Sequence, residues 1–216
     1  MSIIDLSLTI DNDCMTCGTE WHEKVRIEKK GQIKNVGRNT SRFILGSHSA
    51  THMDAPKHFF EDGHGIEATS LDICIGPVTC VDFRGVGKGG TVTRDMVCKM
   101  NITERMLFVF GWYEKWLTPD YYDGFPCFDI EAIEYLIHKG MKMMALDTPS
   151  PDSGRDISSK SDSPNHKALL AKDIVIVEYL SNTNQIDFNK KYEIIALPLK
   201  IAQADGSPSR VIIREA

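Results

Sequence analysis

"DIEAIEYLIHKGMKMMAL" (residues 129–146) reads as a helix, a stop and a buried strand in succession. Asp129 is a capping residue ahead of a periodic run, and Ile130, Ile133, Leu136 and Ile137 share one face at helical spacing. The spacing predicts a helix over Asp129–Lys139, ended by Gly140. Met141–Leu146 then follows as an apolar run of strand length. A helix that feeds directly into a buried strand is the repeating unit of an α/β domain.

The flanking sequence continues this alternation. "MLFVF" (106–110), closed by Gly111, fits a strand covered on both faces. Leu71–Ile75 and Pro77–Phe83 are short apolar runs bounded by Gly76 and Gly85, and Thr93 can cap a short helix toward Met100. Downstream, Asn165–Ala171 reads as a short helix, with strands at Ile174–Leu180, Tyr192–Pro198 and Val211–Arg214. At the other end Ile3–Ile10 alternates apolar and polar residues, as a half-buried strand does. Residues 11–40 are polar and carry Gly18, Gly31 and Gly37, which suggests a loop or ribbon, with a strand beginning at Val25. The expected fold is α/β, with a mixed β-sheet core and few helices, in one domain over residues 1–216.

Composition narrows the function. The chain has 216 residues, is 42% hydrophobic and carries a net charge of −5. It holds no Lys/Arg-rich run, so a nucleic-acid partner is not expected. No apolar run approaches the roughly 20 residues of a membrane span. The N-terminus lacks a basic start and carries Asp5 early, so a cytoplasmic location and six reduced cysteines are expected. Cys14 and Cys17 have the C-x-x-C spacing of redox or zinc sites, but no second pair and no βαβ context accompany them. They read as ordinary loop cysteines, with a thiol redox module as the rival. No G-x-S-x-G elbow is present, and the glycine-rich stretch 85–90 lacks the G-K-[ST] ending of a phosphate loop.

Three of the seven histidines fall within "HSATHMDAPKH" (48–58). Gly46-Ser-His-Ser-Ala-Thr is a poor helix sequence, and Asp54-Ala-Pro56 forces an extended or turn conformation. An extended segment places His52 and Asp54 on one side. With His48 they supply the N,N,O donor set of a catalytic metal site. The competing reading is a histidine-rich surface loop. Further on, His166 stands at a short helix, and Glu178 interrupts the apolar strand "IVIVEYL" (174–180). A carboxylate there is either on the solvent side or buried with a partner or metal. His22 and His64 read as surface histidines, and His138 favours the end of its helix.

"HSATHMDAPKHF" (48–59) resembles the H-x-G-T-H-x-D-x-P-x-H signature of the cyclase family of metal-dependent hydrolases, which includes arylformamidases and isatin hydrolases. "DTPSPD" (147–152), "HKALLAKDIVIVEYL" (166–180) and "LPLKIAQADGSPSRVII" (197–213) resemble further family segments in the same order. The resemblance implies a swivelling β/β/α fold. It implies that His48, His52 and Asp54 bind one metal, and that Asp54, His166 and Glu178 bind a second, with Asp54 bridging. His58 would be a general acid/base. It further implies a divalent cofactor, zinc or alternatively manganese, a small-molecule substrate and a homodimer or homotetramer. The implied reaction is hydrolysis of an arylformamide-type amide, N-formylkynurenine being one such substrate. Alternatives are a cyclic amide or lactone substrate, or a non-catalytic metal-binding protein on the same fold. Ala50 stands where the family often has glycine, and "DNDCMTCGTEWHEKVRIEK" (11–29) lacks the Pro-Gly-Asp-Pro stretch common after the first strand.

Overall fold

A computed structural model describes residues 2–154 and 163–216. Strand β1 (Ile3–Asp5) leads through an irregular stretch to a ribbon of β2 (Arg26–Gly31) and β3 (Thr40–Ile44), linked by the one-turn helix α1 (Ile33–Val36). Then come β4 (His52–Asp54), the one-turn helix α2 (Leu71–Cys74) and β5 (Ile75–Asp82). Next are β6 (Thr91–Val92), helix α3 (Arg94–Val97) and β7 (Arg105–Val109). A small strand β8 (Cys127–Phe128) feeds helix α4 (Ile130–His138) and β9 (Met143–Leu146). Helix α5 (Pro164–Leu170) precedes β10 (Val175–Glu178), β11 (Tyr192–Pro198) and β12 (Gly206–Glu215).

The main sheet runs β1-β12-β11-β5-β7-β9-β10-β4, and an additional β12–β4 pairing closes seven of its strands into a barrel. Strands β5, β7, β9 and β10 are parallel neighbours, while β10–β4, β4–β12, β12–β11 and β11–β5 are antiparallel. The mixed sheet and the five short α-helices of the described residues agree with the expected class.

Alternation along the buried strands separates two cores. Leu107, Val109, Met143, Ala145, Val175 and Val177 point into one cluster with Met53, Ile194 and Ile213, inside the barrel. Met106, Phe108, Met144, Leu146 and Ile176 point the other way, onto α4 and α5. "MLFVF" is thus covered on both faces, which is why it is apolar throughout. Helix α4 starts where Asp129 accepts a hydrogen bond from Ala132 N–H at 2.6 Å, a cap worth about 1 kcal/mol. It buries Ala132, Ile133 and Leu136, the last two contributing roughly 1.5–3 kcal/mol each.

One expectation is corrected. The first strand stops at Asp5: Leu6 N–H still reaches the Val211 carbonyl oxygen at 2.9 Å, but from Ser7 the backbone N–H groups turn to side chains, Ser7 N–H donating to Asp5 Oδ1 and Leu8 N–H to Thr51 Oγ1. The apolar run at Leu71–Cys74 forms one helical turn, capped by Ser70, which accepts from Asp72 N–H. No helix among the described residues is long and apolar enough to cross a membrane.

Candidate active site

Strand β4 carries the decisive residues. His52 and Asp54 lie on one side of it, and Met53 points into the barrel core. On the neighbouring strand, Glu178 stands directly opposite His52 in the antiparallel register. Val175 and Val177 face the barrel core, so Ile176 and Glu178 face outward, toward α5. Helix α5 brings His166 to the same place. All four side chains are buried, Asp54 to 1% and Glu178 to 3% residual exposure, which decides against a solvent-side Glu178.

The donors are arranged around the two carboxylates. Asp54 Oδ1 lies 2.9 Å from His48 Nδ1 and 3.4 Å from His52 Nε2, while Asp54 Oδ2 lies 3.4 Å from His166 Nε2. Glu178 Oε2 is 3.3 Å from His52 Nε2, and Oε1 is 3.2 Å from His166 Nε2. Asp54 therefore has His48 and His52 on one oxygen and His166 on the other. Yet both Asp54 oxygens and Glu178 Oε1 are buried without a partner in hydrogen-bonding geometry. Orphaned buried carboxylate oxygens are costly unless a cation meets them, so the residues present fit a divalent metal.

Electrostatics agree. Burial opposes charge on His52, but the carboxylates of Asp54 and Glu178 outweigh it and raise its pKa to about 10. His166 is likewise raised well above the ordinary range, Asp152, Asp54 and Glu178 together overcoming its burial. Burial also works against the Asp54 carboxylate, yet the surrounding imidazoles hold its pKa well below the usual range. The field that favours a proton on these imidazoles is the field that favours a metal in its place.

His58 follows the turn at Asp54-Ala-Pro56, in a single 3₁₀ turn. Its ring lies 4.0 Å from that of His48, centroid to centroid, and its Nδ1 lies 3.5 Å from Asp205 Oδ2. His48, Asp54 and His58 converge within 4.8 Å, as do His52, Asp54 and Glu178. The strand–turn reading of 48–58 thus holds, and His58 sits against the same cluster.

Three features escaped sequence reasoning. Asp152 holds His166: its Oδ2 lies 2.6 Å from Nδ1 and accepts from the backbone N–H at 3.0 Å, leaving Nε2 aimed at Asp54 and Glu178. Asp205 Oδ2 lies 2.7 Å from His48 Nε2 as well as beside His58. Gly206 leaves room for His48: a Cβ there would lie 2.8 Å from His48 Cε1 and 2.9 Å from the Met53 carbonyl oxygen. Ala50 has φ 54°, in the left-handed region, which accounts for the glycine expected there; its carbonyl oxygen lies 2.8 Å from His52 Nδ1.

The cluster lies on the wall of a pocket of ≈ 220 Å³, whose aromatic lining is Trp21, Phe59, Tyr122 and Tyr179. His22, expected on the surface, lines this pocket too, and so does Cys17. His64 behaves as expected, part-exposed and paired with Asp173 at 3.3 Å.

The family model described as "Putative cyclase" matches residues 4–153. The chain belongs to the cyclase family. Among curated relatives, a kynurenine formamidase of Erythrobacter litoralis is 35% identical over 190 residues, covering 86% of this chain and 80% of the relative. A kynurenine formamidase of Bacillus cereus is 28% identical over 215 residues, covering 98% and 96%. Among solved structures, an isatin hydrolase bound to the product analogue thioisatinate matches with TM-score 0.84 at 22% identity, covering 98% of this chain and 91% of that one. A protein titled "Potential Metal-Dependent Hydrolase With Cyclase Activity" matches with TM-score 0.80 at 22% identity, covering 100% and 99%. These structural likenesses establish the fold.

Proposed function

We propose that this protein is a metal-dependent hydrolase that cleaves an arylformamide-type amide, with an N-formylkynurenine-like compound as substrate. The observation that carries the reading is the pair of orphaned Asp54 oxygens, set between His48 and His52 on one side and His166 on the other. His48, His52 and Asp54 would hold one ion, and Asp54, His166 and Glu178 a second. Imidazole and carboxylate donors suit zinc, with manganese as the alternative. The kynurenine formamidases at 28–35% identity support the choice of amide.

When bound, a divalent metal supplies Lewis acidity, which acidifies water and polarises a carbonyl. The chain's own residues do the rest. Trp21, Phe59, Tyr122 and Tyr179 offer faces and edges against which an aryl ring packs, excluding water from one side. His58 carries the proton that the departing amine nitrogen needs; burial keeps its pKa below the ordinary value despite the nearby Asp205 carboxylate, so its imidazole can be neutral near pH 7 and take up the proton it later delivers. Asp205 fixes the ring from the Nδ1 side, leaving Nε2 as the working nitrogen.

The test is hydrolysis of an N-formyl arylamine by protein loaded with zinc or with manganese. Formate release that depends on added metal is expected; no release with either ion sinks the reading. A homodimer or homotetramer in the cytoplasm completes the proposal, and sedimentation showing only monomer at full activity would count against that part.

A further inference from the structure

The irregular segment between β1 and β2 brings Cys17, Trp21 and His22 to the pocket that also holds His48, His58 and Glu178. Cys17 Sγ lies 2.7 Å from His22 Nδ1. Thr19 Oγ1 lies 2.5 Å from the same nitrogen and 3.4 Å from the sulfur. A neutral imidazole with its proton on Nε2 presents Nδ1 as the acceptor of the thiol hydrogen. A thiol with a base in hydrogen-bond reach is the arrangement that makes sulfur a nucleophile. The mechanism above gives neither residue a part in the chemistry.

The remaining thiols differ in ways that matter for reactivity. Cys14, three residues away, is buried with its Sγ 3.5 Å from the Thr9 carbonyl oxygen. Burial pushes the Cys74 thiol up to about 11 and the Cys80 thiol to about 12. Cys98 is exposed, its Sγ 3.4 Å from the Asp95 carbonyl oxygen, and Cys127 is half-buried with its Sγ 3.9 Å from Thr91 Oγ1. Cys17 therefore combines access from the pocket with an adjacent base.

We propose that Cys17 and His22 form an electrophile-reactive site on the pocket wall, which takes α,β-unsaturated carbonyl compounds and blocks the pocket once modified. The sulfur bonds to the β-carbon as the carbon–carbon π bond breaks. The thiol proton passes to His22 Nδ1, and the α-carbon is protonated in turn, so the addition balances with no leaving group and no oxidant. The addition itself does not depend on the hydrolase reading; only the consequence for turnover rests on it.

The probe is N-ethylmaleimide at limiting concentration with the full chain at pH 7, adducts being located by peptide mass spectrometry over time. Cys17 is expected to react at least roughly tenfold faster than the more exposed Cys98, because an imidazole nitrogen stands within hydrogen-bond reach of its sulfur, whereas the Cys98 sulfur meets a backbone carbonyl oxygen. In wild type a Cys17 rate equal to or below that of Cys98 overturns the proposal, with no variant needed. His22→Asn, shown folded by circular dichroism, is expected to bring Cys17 down to about the Cys98 rate, as loss of the adjacent base requires; an unchanged rate overturns the role of His22. Arylformamide turnover is expected to fall in step with the Cys17 adduct and to resist N-ethylmaleimide in Cys17→Ser. Full turnover at complete Cys17 modification overturns the blocking. A protein with no turnover at all refutes the hydrolase reading and leaves the labelling result standing.

Discussion

Glu178 faces His52 across the β4–β10 ladder, and their side chains meet at 3.3 Å on the face turned away from the barrel interior. One register step would swing Glu178 into the barrel core and put Val177 opposite His52. The metal reading therefore depends on this pairing. Glu178→Ala should fold, since its neighbours Val177 and Ile176 keep both cores, but it should retain at least roughly tenfold less metal after dialysis, measured by elemental mass spectrometry. Wild-type metal content in this variant would remove Glu178 from the ligand set.

His52 and His58 separate binding from proton transfer. His52→Ala should lose metal. His58→Ala should keep metal and fold, with kcat on an N-formyl arylamine lower by about 10²–10⁴-fold. A metal-free His58→Ala protein would make His58 a ligand, a role its convergence with His48 and Asp54 also allows.

Asp152 orients His166 and closes the start of α5, accepting from Asn165 N–H at 2.8 Å and His166 N–H at 3.0 Å. Asp152→Ala should lower metal affinity by roughly 10–100-fold and stability by about 1 kcal/mol through the lost cap. Isothermal titration with zinc and urea unfolding read the two effects apart.

Gly206 is set by space and not by backbone conformation. In Gly206→Ala the new Cβ would press on the His48 ring and on the Met53 carbonyl, a backbone atom that cannot swing away. Overpacking of this kind costs roughly 1–3 kcal/mol. The expected result is a lower unfolding midpoint together with weaker metal retention, because His48 is the group displaced. Unchanged values for both would show that β12 gives way without disturbing His48.

Asp147 predicts a pH effect away from the metal. Burial raises its carboxyl from 3.8 to about 6, against hydrogen bonds from Phe110 N–H, Gly111 N–H and Thr183 Oγ1, each at 2.8 Å. The folded state then holds the proton more tightly than the unfolded chain. The contribution of this group is fully present below about pH 4 and is lost as pH rises through about 6. The loss is roughly 3 kcal/mol, at ~1.4 kcal/mol per unit. Urea unfolding of wild type and Asp147→Asn between pH 4 and 7 should show the wild type losing ground to the variant over that window. A pH-independent difference would contradict the shift.

Much of the fold was legible because its signals are local. Period 3.6 marks α4, unbroken apolar runs mark β7 and β9, and the two-residue step from His52 to Asp54 puts both on one side of an extended segment. Burial on both faces of a strand and one face of a helix leaves these patterns in any window of a few residues. The family-like segment at 166–180 added the ligand positions His166 and Glu178, though their convergence on the cluster around Asp54 is a property of the folded chain. Tertiary structure alone decided what stands next to the ligands. Asp205 meets His48 across 157 residues of sequence, and Asp152 meets His166 across 14. Gly206 is required only because β12 pairs with β4 beneath the His48 ring. Cys17 and His22, ordinary by composition, face the pocket because the segment that carries them packs through Cys14 and Val25 against Ala50, just ahead of β4. Such neighbours are set by strand order and barrel closure, which depend on the whole chain, so no short stretch of sequence encodes them.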